Sequence, residues 1–119
     1  MATSPAIDPV VSNPGLYSVI FENERVRVLE YRDQPGEESI PHDHPDSVMV
    51  TLGAFQRRLA SGDTTVDVEM PANTARWLGA QNHSGHNTGS TETHCIFVEL
   101  KEPPLAPRSG NQALGPTAS

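Results

Sequence analysis

The sequence predicts an all-β domain, a sandwich or barrel of short strands. Three observations predict it. Helical periodicity is almost absent along the chain. Short runs of β-favourable residues are separated by breaks rich in Pro, Gly and Asn. One run, Thr64–Met70, alternates cleanly, with Val66, Val68 and Met70 toward a core and Thr65, Asp67 and Glu69 toward water.

The elements follow in order. Residues 16–21 form the first strand candidate, and Glu22-Asn23-Glu24 turns the chain into a second at 25–31. There Val26 and Val28 share one face and Arg25 and Arg27 the other. Gln34-Pro35-Gly36-Glu37 fits a type II turn, because Pro presets φ at the second position and Gly accepts positive φ at the third. A short histidine-bearing segment comes next, then a strand at 47–52, a bend at Gly53 and a strand over 54–59. Ser61-Gly62-Asp63 closes a hairpin onto Thr64–Met70. Pro71-Ala72-Asn73 turns into Ala75–Leu78, a strand region surrounds His83, and Asn87-Thr88-Gly89-Ser90 turns into the last strand, 94–100. No repeat of fixed period is present.

The 119 residues argue for one domain. Both ends are rich in Pro, Ala, Ser, Thr and Gly, which bury too little apolar surface to offset their ordering entropy. Residues 1–15 therefore read as a flexible N-terminal arm, ordered only if it packs on a neighbour, 16–102 as the folded body and 103–119 as a flexible tail. The formal net charge of −7 disfavours nucleic acid or an anionic membrane as partner, since both require basic patches. The single cysteine, Cys95, excludes an intrachain disulfide and sits in an apolar run, as a buried structural thiol does. The first residues lack a charged segment followed by an apolar one, and no run approaches membrane-spanning length, so a soluble cytoplasmic protein is the expectation.

The chemistry concentrates in Pro41-His42-Asp43-His44-Pro45. On an extended strand, residues two apart point the same way, so both imidazoles can grip one ion. A third candidate, His83, lies in His83-Ser84-Gly85-His86-Asn87, which a β-scaffold can fold back over the first segment. Neutral imidazole suits Fe, Mn, Zn, Ni or Cu, and spacing does not choose among them.

These motifs resemble the cupin family in its small single-domain form. The resemblance rests on Gly36, five residues, His42-x-His44, then Pro71-Ala72-Asn73, His83-x-x-x-Asn87 and a closing strand ending Val98-Glu99-Leu100-Lys101. It covers roughly residues 26–101, and some similar cupins are associated with β-alanine degradation. It implies an antiparallel jelly-roll β-barrel, one divalent metal held by His42, His44 and His83, and a homodimer that exchanges the N-terminal arm. Two departures stand out. Where the family pattern carries a metal-binding Glu, this chain has Val48 and Met49, and a thioether is only a soft ligand. More residues than usual also separate Pro71 from His83, with Thr74, Ala75 and Arg76 in the compact family position.

Around that centre, His94, Arg57 and His86 are the candidate catalytic groups. His94 shares strand parity with Ile96 and Val98 and is expected to face the interior, as a core histidine, a fourth ligand or a proton shuttle. His86 falls on the opposite parity from His83, which favours the surface. Arg57, Trp77 and Tyr31 are candidates for the barrel mouth, with Arg57 a carboxylate or phosphate clamp if it points inward. Asp43 is expected opposite the histidines, Asp46 within reach only if Pro45 breaks the strand, and Glu99 toward solvent.

Three histidines without a carboxylate resemble the iron cupins that oxygenate or split small substrates with O2. The same centre with Zn, Mn or Ni suits isomerase or lyase chemistry. The rival expectations are a non-catalytic metabolite-binding cupin, with the metal as a brace or absent, and a metal-free isomerase using His42 or His83 as base.

Overall fold

In the computed structural model the chain is described over residues 6–103 and 114–117. Among these residues one helical turn, α1 (Pro9–Ser12), precedes nine strands: β1 (Tyr17–Glu22), β2 (Val26–Asp33), β3 (His42–His44), β4 (Ser47–Thr51), β5 (Phe55–Ser61), β6 (Thr64–Met70), β7 (Ala75–Leu78), β8 (Gln81–Asn87) and β9 (Thr93–Leu100). They form two antiparallel sheets, β1-β2-β9-β4-β7 and β3-β8-β5-β6. This is the jelly-roll arrangement that the cupin resemblance implies, and it bears out the all-β reading of the strand pattern. No described helix is long and apolar enough to cross a membrane.

The turn chemistry holds where the sequence places it. Gly36 has φ 88° and the Glu37 amide donates to the Gln34 carbonyl at 3.0 Å, as a type II turn requires. Gly62, at φ 58°, with Asp63 closes the β5–β6 hairpin onto the Ser61–Thr64 pair. The alternation of β6 is also as expected, with Met70 buried and Thr65, Asp67 and Glu69 exposed.

The apolar core lies between the sheets and includes Leu29, Tyr31, Met49, Phe55, Leu78 and Phe97. Cys95 is buried within it, and burial pushes its thiol up to about 12. Strand β9 faces the other way from the expectation. Thr93, Cys95, Phe97 and Glu99 point inward, while His94, Ile96, Val98 and Leu100 are half-buried on the outer side. A run that is apolar at both parities does not reveal its inner face by alternation alone.

Residues 6–15 run along the barrel wall. The Asp8 side chain caps α1 by accepting from the Val10 amide at 2.9 Å, with Pro9 in the first turn. Asp43 accepts from the Ile7 amide, and Asn13 accepts from the Ile40 amide. At the other end, residues 114–117 lie against the barrel: the Gly115 amide donates to Gln81 and the Thr117 amide to the Trp77 carbonyl. The remaining parts of the expected arm and tail, 1–5, 104–113 and 118–119, lie outside the described residues.

Candidate metal centre

Strands β3 and β8 pair antiparallel with His42 directly opposite His83, and His44 follows two residues on along the same face. His42 and His44 are each 1 % exposed, and His83 is buried with them. One donor nitrogen from each lies within 4.8 Å of the others. The rings meet edge-on, with centroids 4.7 to 5.1 Å apart. The structure thus brings together the three histidines expected as ligands.

Their outer nitrogens are directed by hydrogen bonds. His42 Nδ1 lies 2.7 Å from the Ile40 carbonyl, which can only accept, so Nδ1 carries the hydrogen and Nε2 presents its lone pair. His83 Nδ1 lies 2.7 Å from Gln81 Oε1. That oxygen also accepts from the Gly115 amide at 2.8 Å, while Gln81 Nε2 donates to the Gly79 carbonyl, so the amide orientation is fixed. His44 Nδ1 faces Glu99 Oε2 at 3.8 Å, too long for a hydrogen bond, and both atoms are buried without a partner. The other Glu99 oxygen accepts from Arg27 at 2.8 Å, and Arg27 also reaches Asp8 at the cap of α1.

His42 Nε2 and His44 Nε2 are 3.0 Å apart, and Tyr17 Oη lies 3.2 Å from the first and 3.3 Å from the second. Two bare imidazole nitrogens this close repel unless a proton or a metal ion lies between them. Burial disfavours the charged form of all three rings: it lowers His42, it drives His44, with His42 beside it, down to about 3, and it holds His83, with His44 and His42 nearby, well below the usual histidine range. The neutral Nε2–H tautomer of His44 would fill the gap but turn a bare Nδ1 toward the Glu99 carboxylate. A metal ion removes the clash among the Nε2 atoms by taking three lone pairs, and it leaves His44 Nδ1–H facing the Glu99 carboxylate at 3.8 Å, an orientation like the carboxylate–histidine–metal pattern but longer than its hydrogen bond. Burial raises the Glu99 carboxyl, and Arg27 works against that shift. The donor set therefore fits a divalent transition metal.

Beside the histidines is a mostly apolar cavity. Tyr17, His42 and His83 form part of its wall, with Tyr31, Met49 and Arg57. It leaves about 40 Å³ open to the centres of water-sized molecules, room for a few waters or one small ligand.

The other sequence candidates are placed as follows. Arg57 points inward, and its guanidinium is held by Asp33 at 2.8 Å, Thr93 at 3.0 Å and the Tyr31 hydroxyl at 3.1 Å. Asn87, the end of the His-x-x-x-Asn motif, donates to Asp33 rather than toward the histidines. Met49 lines the cavity and Val48 is half-buried on the other parity. His94 lies on the outer side of β9, 2.7 Å from Glu30, so the expected inward orientation is reversed. His86 is half-buried, paired in register with Arg58 and bridged to Glu38. Neither joins the cluster. Trp77, a candidate for the barrel mouth, is half-buried and bridged to Thr117. Asp43 faces away from the centre, toward Ile7 and Asn82, and Asp46 accepts from the Ala80 amide. Glu99, expected in solvent, is 3 % exposed behind His44. Sequence reasoning missed Tyr17, Gln81 and Glu99. Only Glu99 left a signal, sharing parity with Cys95 and Phe97 as well as facing the Arg27 that the alternation of β2 sets on its own face.

Solved structures share this fold. A cupin domain from Bordetella pertussis Tohama I superposes with a TM-score of 0.67 at 25% identity, over 86% of this chain and 100% of that one. An uncharacterised conserved protein with a double-stranded β-helix domain from Klebsiella pneumoniae gives 0.57 at 19% identity, over 71% and 75%. A cupin superfamily protein from Desulfitobacterium hafniense DCB-2 gives 0.55 at 15% identity, over 73% and 77%. No family model matches the sequence, and no curated protein matches it. The chain has the all-β cupin jelly-roll fold.

Proposed function

We propose that this chain is a metal-dependent cupin acting on a small organic molecule at a centre formed by His42, His44 and His83. One observation carries the reading: three buried, neutral imidazoles converge, and the Nδ1 atoms of His42 and His83 are tied back so that their Nε2 lone pairs meet that of His44. The resident ion is one divalent transition metal, Fe, Mn, Zn or Ni. When bound it supplies Lewis acidity for isomerase or lyase chemistry, or, as iron, oxygenase chemistry with O2.

The chain's own groups do the rest. Gln81 and the Ile40 carbonyl orient two of the ligands, and Glu99 stands behind the third. Phe55, Leu59 and Leu78 give the cavity an apolar wall. Arg57 brings a cation to the wall, but its charge is matched by Asp33, so it shapes and polarises the pocket rather than acting as a free anion clamp. Tyr17, Tyr31 and Cys95 are proton-bearing groups on the wall, whereas His86 and His94 are held elsewhere.

A second reading, a non-catalytic cupin braced by its ion, is favoured by the nearness of Tyr17 Oη, which suits a closed ligand shell. Azide distinguishes the two. With the site loaded with a spectroscopically active ion such as Ni(II), azide perturbs the spectrum of a centre with an open position and leaves a closed one unchanged.

Elemental analysis of the purified, untagged protein tests the proposal. Close to one metal per chain is expected, lost in His42→Ala and in His83→Ala. No metal in the wild type, even after anaerobic loading with several divalent ions, overturns it. We also infer pairing with a second copy through the edge strand β1, where Val19, Ile20 and Phe21 are exposed. Light scattering is expected to give the dimer mass for the wild type and the monomer mass for Phe21→Asp. A monomeric wild type removes the inference.

A further inference from the structure

We propose that the phenol oxygen of Tyr17 is the fourth protein donor of this centre, in place of the carboxylate that resembling cupins carry where this chain has Val48 and Met49. The proposal rests on the metal-binding reading above and completes its ligand set.

The geometry is that of ligands around one ion. Metal–nitrogen bonds of about 2.0–2.1 Å place neighbouring donors about 3.0–3.4 Å apart in tetrahedral or octahedral coordination. The separations of Tyr17 Oη from His42 Nε2 and His44 Nε2, 3.2 and 3.3 Å, and of the two nitrogens from each other, 3.0 Å, all fall in that range. A hydroxyl has one hydrogen. With both Nε2 atoms bare it can satisfy only one of them, and its contact with the other then sets lone pair against lone pair; a His44 Nε2–H donating to Tyr17 Oη would relieve this but turn a bare Nδ1 toward the Glu99 carboxylate. An ion bonded to all three atoms removes that conflict.

Tyr17 is also held where a ligand must be. It starts β1, its amide donates to the Asn13 carbonyl at 3.1 Å, and its side chain is 5 % exposed. Its ring packs on Tyr31 with centroids 4.6 Å apart and on Phe97 at 6.0 Å. Asn13 in turn holds Ile40, whose carbonyl orients His42. One chain of hydrogen bonds thus sets the phenol and the imidazole relative to each other. The only sulfur the structure offers at the family's carboxylate position, Met49, is a thioether, which hard cations accept poorly.

On coordination the phenol O–H bond breaks, its proton leaves to solvent and the oxygen–metal bond forms, so the centre gains one negative charge and no redox partner is needed. Tyr17, His42 and His83 border the cavity whereas His44 is not among its lining residues. Further coordination positions of a five- or six-coordinate Fe, Mn or Ni would therefore open toward the cavity, and a tetrahedral Zn would be closed by Tyr17.

Cu(II) is the probe, because phenolate bound to Cu(II) gives a visible charge-transfer band whose resonance Raman spectrum shows tyrosinate ring modes. The chain has two tyrosines, Tyr17 and Tyr31, so the assignment is complete with two variants. Metal-free protein titrated with one equivalent of Cu(II) is expected to show the band with its ring modes. Tyr17→Phe is expected to bind one Cu(II), with imidazole nitrogen couplings in its paramagnetic resonance spectrum, and to lose the band entirely. Tyr31→Phe is expected to keep it, which decides the question even if Tyr17→Phe folds poorly. A wild type that binds one Cu(II) at the histidines without the band, or a Tyr17→Phe protein that keeps it, overturns the Tyr17 assignment and leaves the three-histidine centre standing. A wild type that takes up no Cu(II) and none of the other divalent ions overturns both.

Discussion

Two buried polar clusters line the same cavity, and they differ in how completely they satisfy themselves. Around Arg57, the hydrogen bonds close: the guanidinium reaches Asp33, Thr93 and Tyr31, Tyr31 donates to Asp33, and Asn87 donates to the other Asp33 oxygen. Around the histidines they do not. His44 Nδ1 and Glu99 Oε2 have no partner, and the Nε2 atoms of His42 and His44 face each other at 3.0 Å. A closed buried network stabilises and positions. A convergent set left open is a candidate place for an ion or ligand to supply the missing partners, because a buried polar atom without a partner costs free energy. Charge and burial alone do not separate the two clusters; the hydrogen-bond inventory does.

The largest expected effect breaks the closed cluster. Arg57→Ala strands Asp33 in the interior, and removing one partner of a buried ion pair costs about 3–5 kcal/mol. Urea unfolding should show that loss, while the folded variant retains one metal per chain. His42→Ala should do the reverse, keeping a cooperative fold and losing the metal. An Arg57→Ala protein of wild-type stability that binds no metal would mean that the two clusters are one site.

A gentler strain on the same network comes from Gly85. A Cβ there would lie 2.2 Å from Arg57 Nη2, and the guanidinium, tied on its other sides, has little room to yield. Gly85→Ala should therefore destabilise by about 1–3 kcal/mol, the usual scale of overpacking. Gly53→Ala, with nothing within 4 Å of the added atom, is the control.

On the open side, Glu99→Gln removes the carboxylate behind His44 but keeps an acceptor for Arg27. Loss of such a supporting group lowers metal affinity about 10- to 100-fold. Competition with a metallochromic chelator measures it, and an unchanged affinity would mean that Glu99 serves only Arg27.

Much of this was legible in the sequence, for physical reasons. Turn residues fix positive φ or punctuate strands locally, so the Pro35-Gly36 turn, the Gly62-Asp63 hairpin and the bounds of β6 and β7 follow from short windows. The His42/His44 pairing follows from strand parity alone, and His83 from motif order. What escaped depends on long-range packing. The inner face of β9 is undecidable where Cys-Ile-Phe-Val is apolar at both parities, and that hid Glu99 and misdirected His94. Tyr17 reaches the centre because β1 pairs with β2, which no local pattern encodes. The helical turn α1 did leave a signal, Asp8 before Pro9, but four residues are too few for periodicity to show.

The smallest expected effect is an absence. Cys95 lines the cavity beside both clusters but belongs to neither hydrogen-bond set, and burial pushes its thiol up to about 12. Only the thiolate reacts, so at pH 8 the native protein should resist iodoacetamide on two counts, the scarcity of thiolate and the 1 % exposure of the residue. Mass spectrometry after alkylation should find Cys95 unmodified in the folded chain and fully modified in denaturant. Rapid modification of the folded protein would show that the cavity opens to small electrophiles. The apolar wall would then be a gate on the route to the histidines, and the closed cluster around Arg57 would be less rigid than its hydrogen bonds imply.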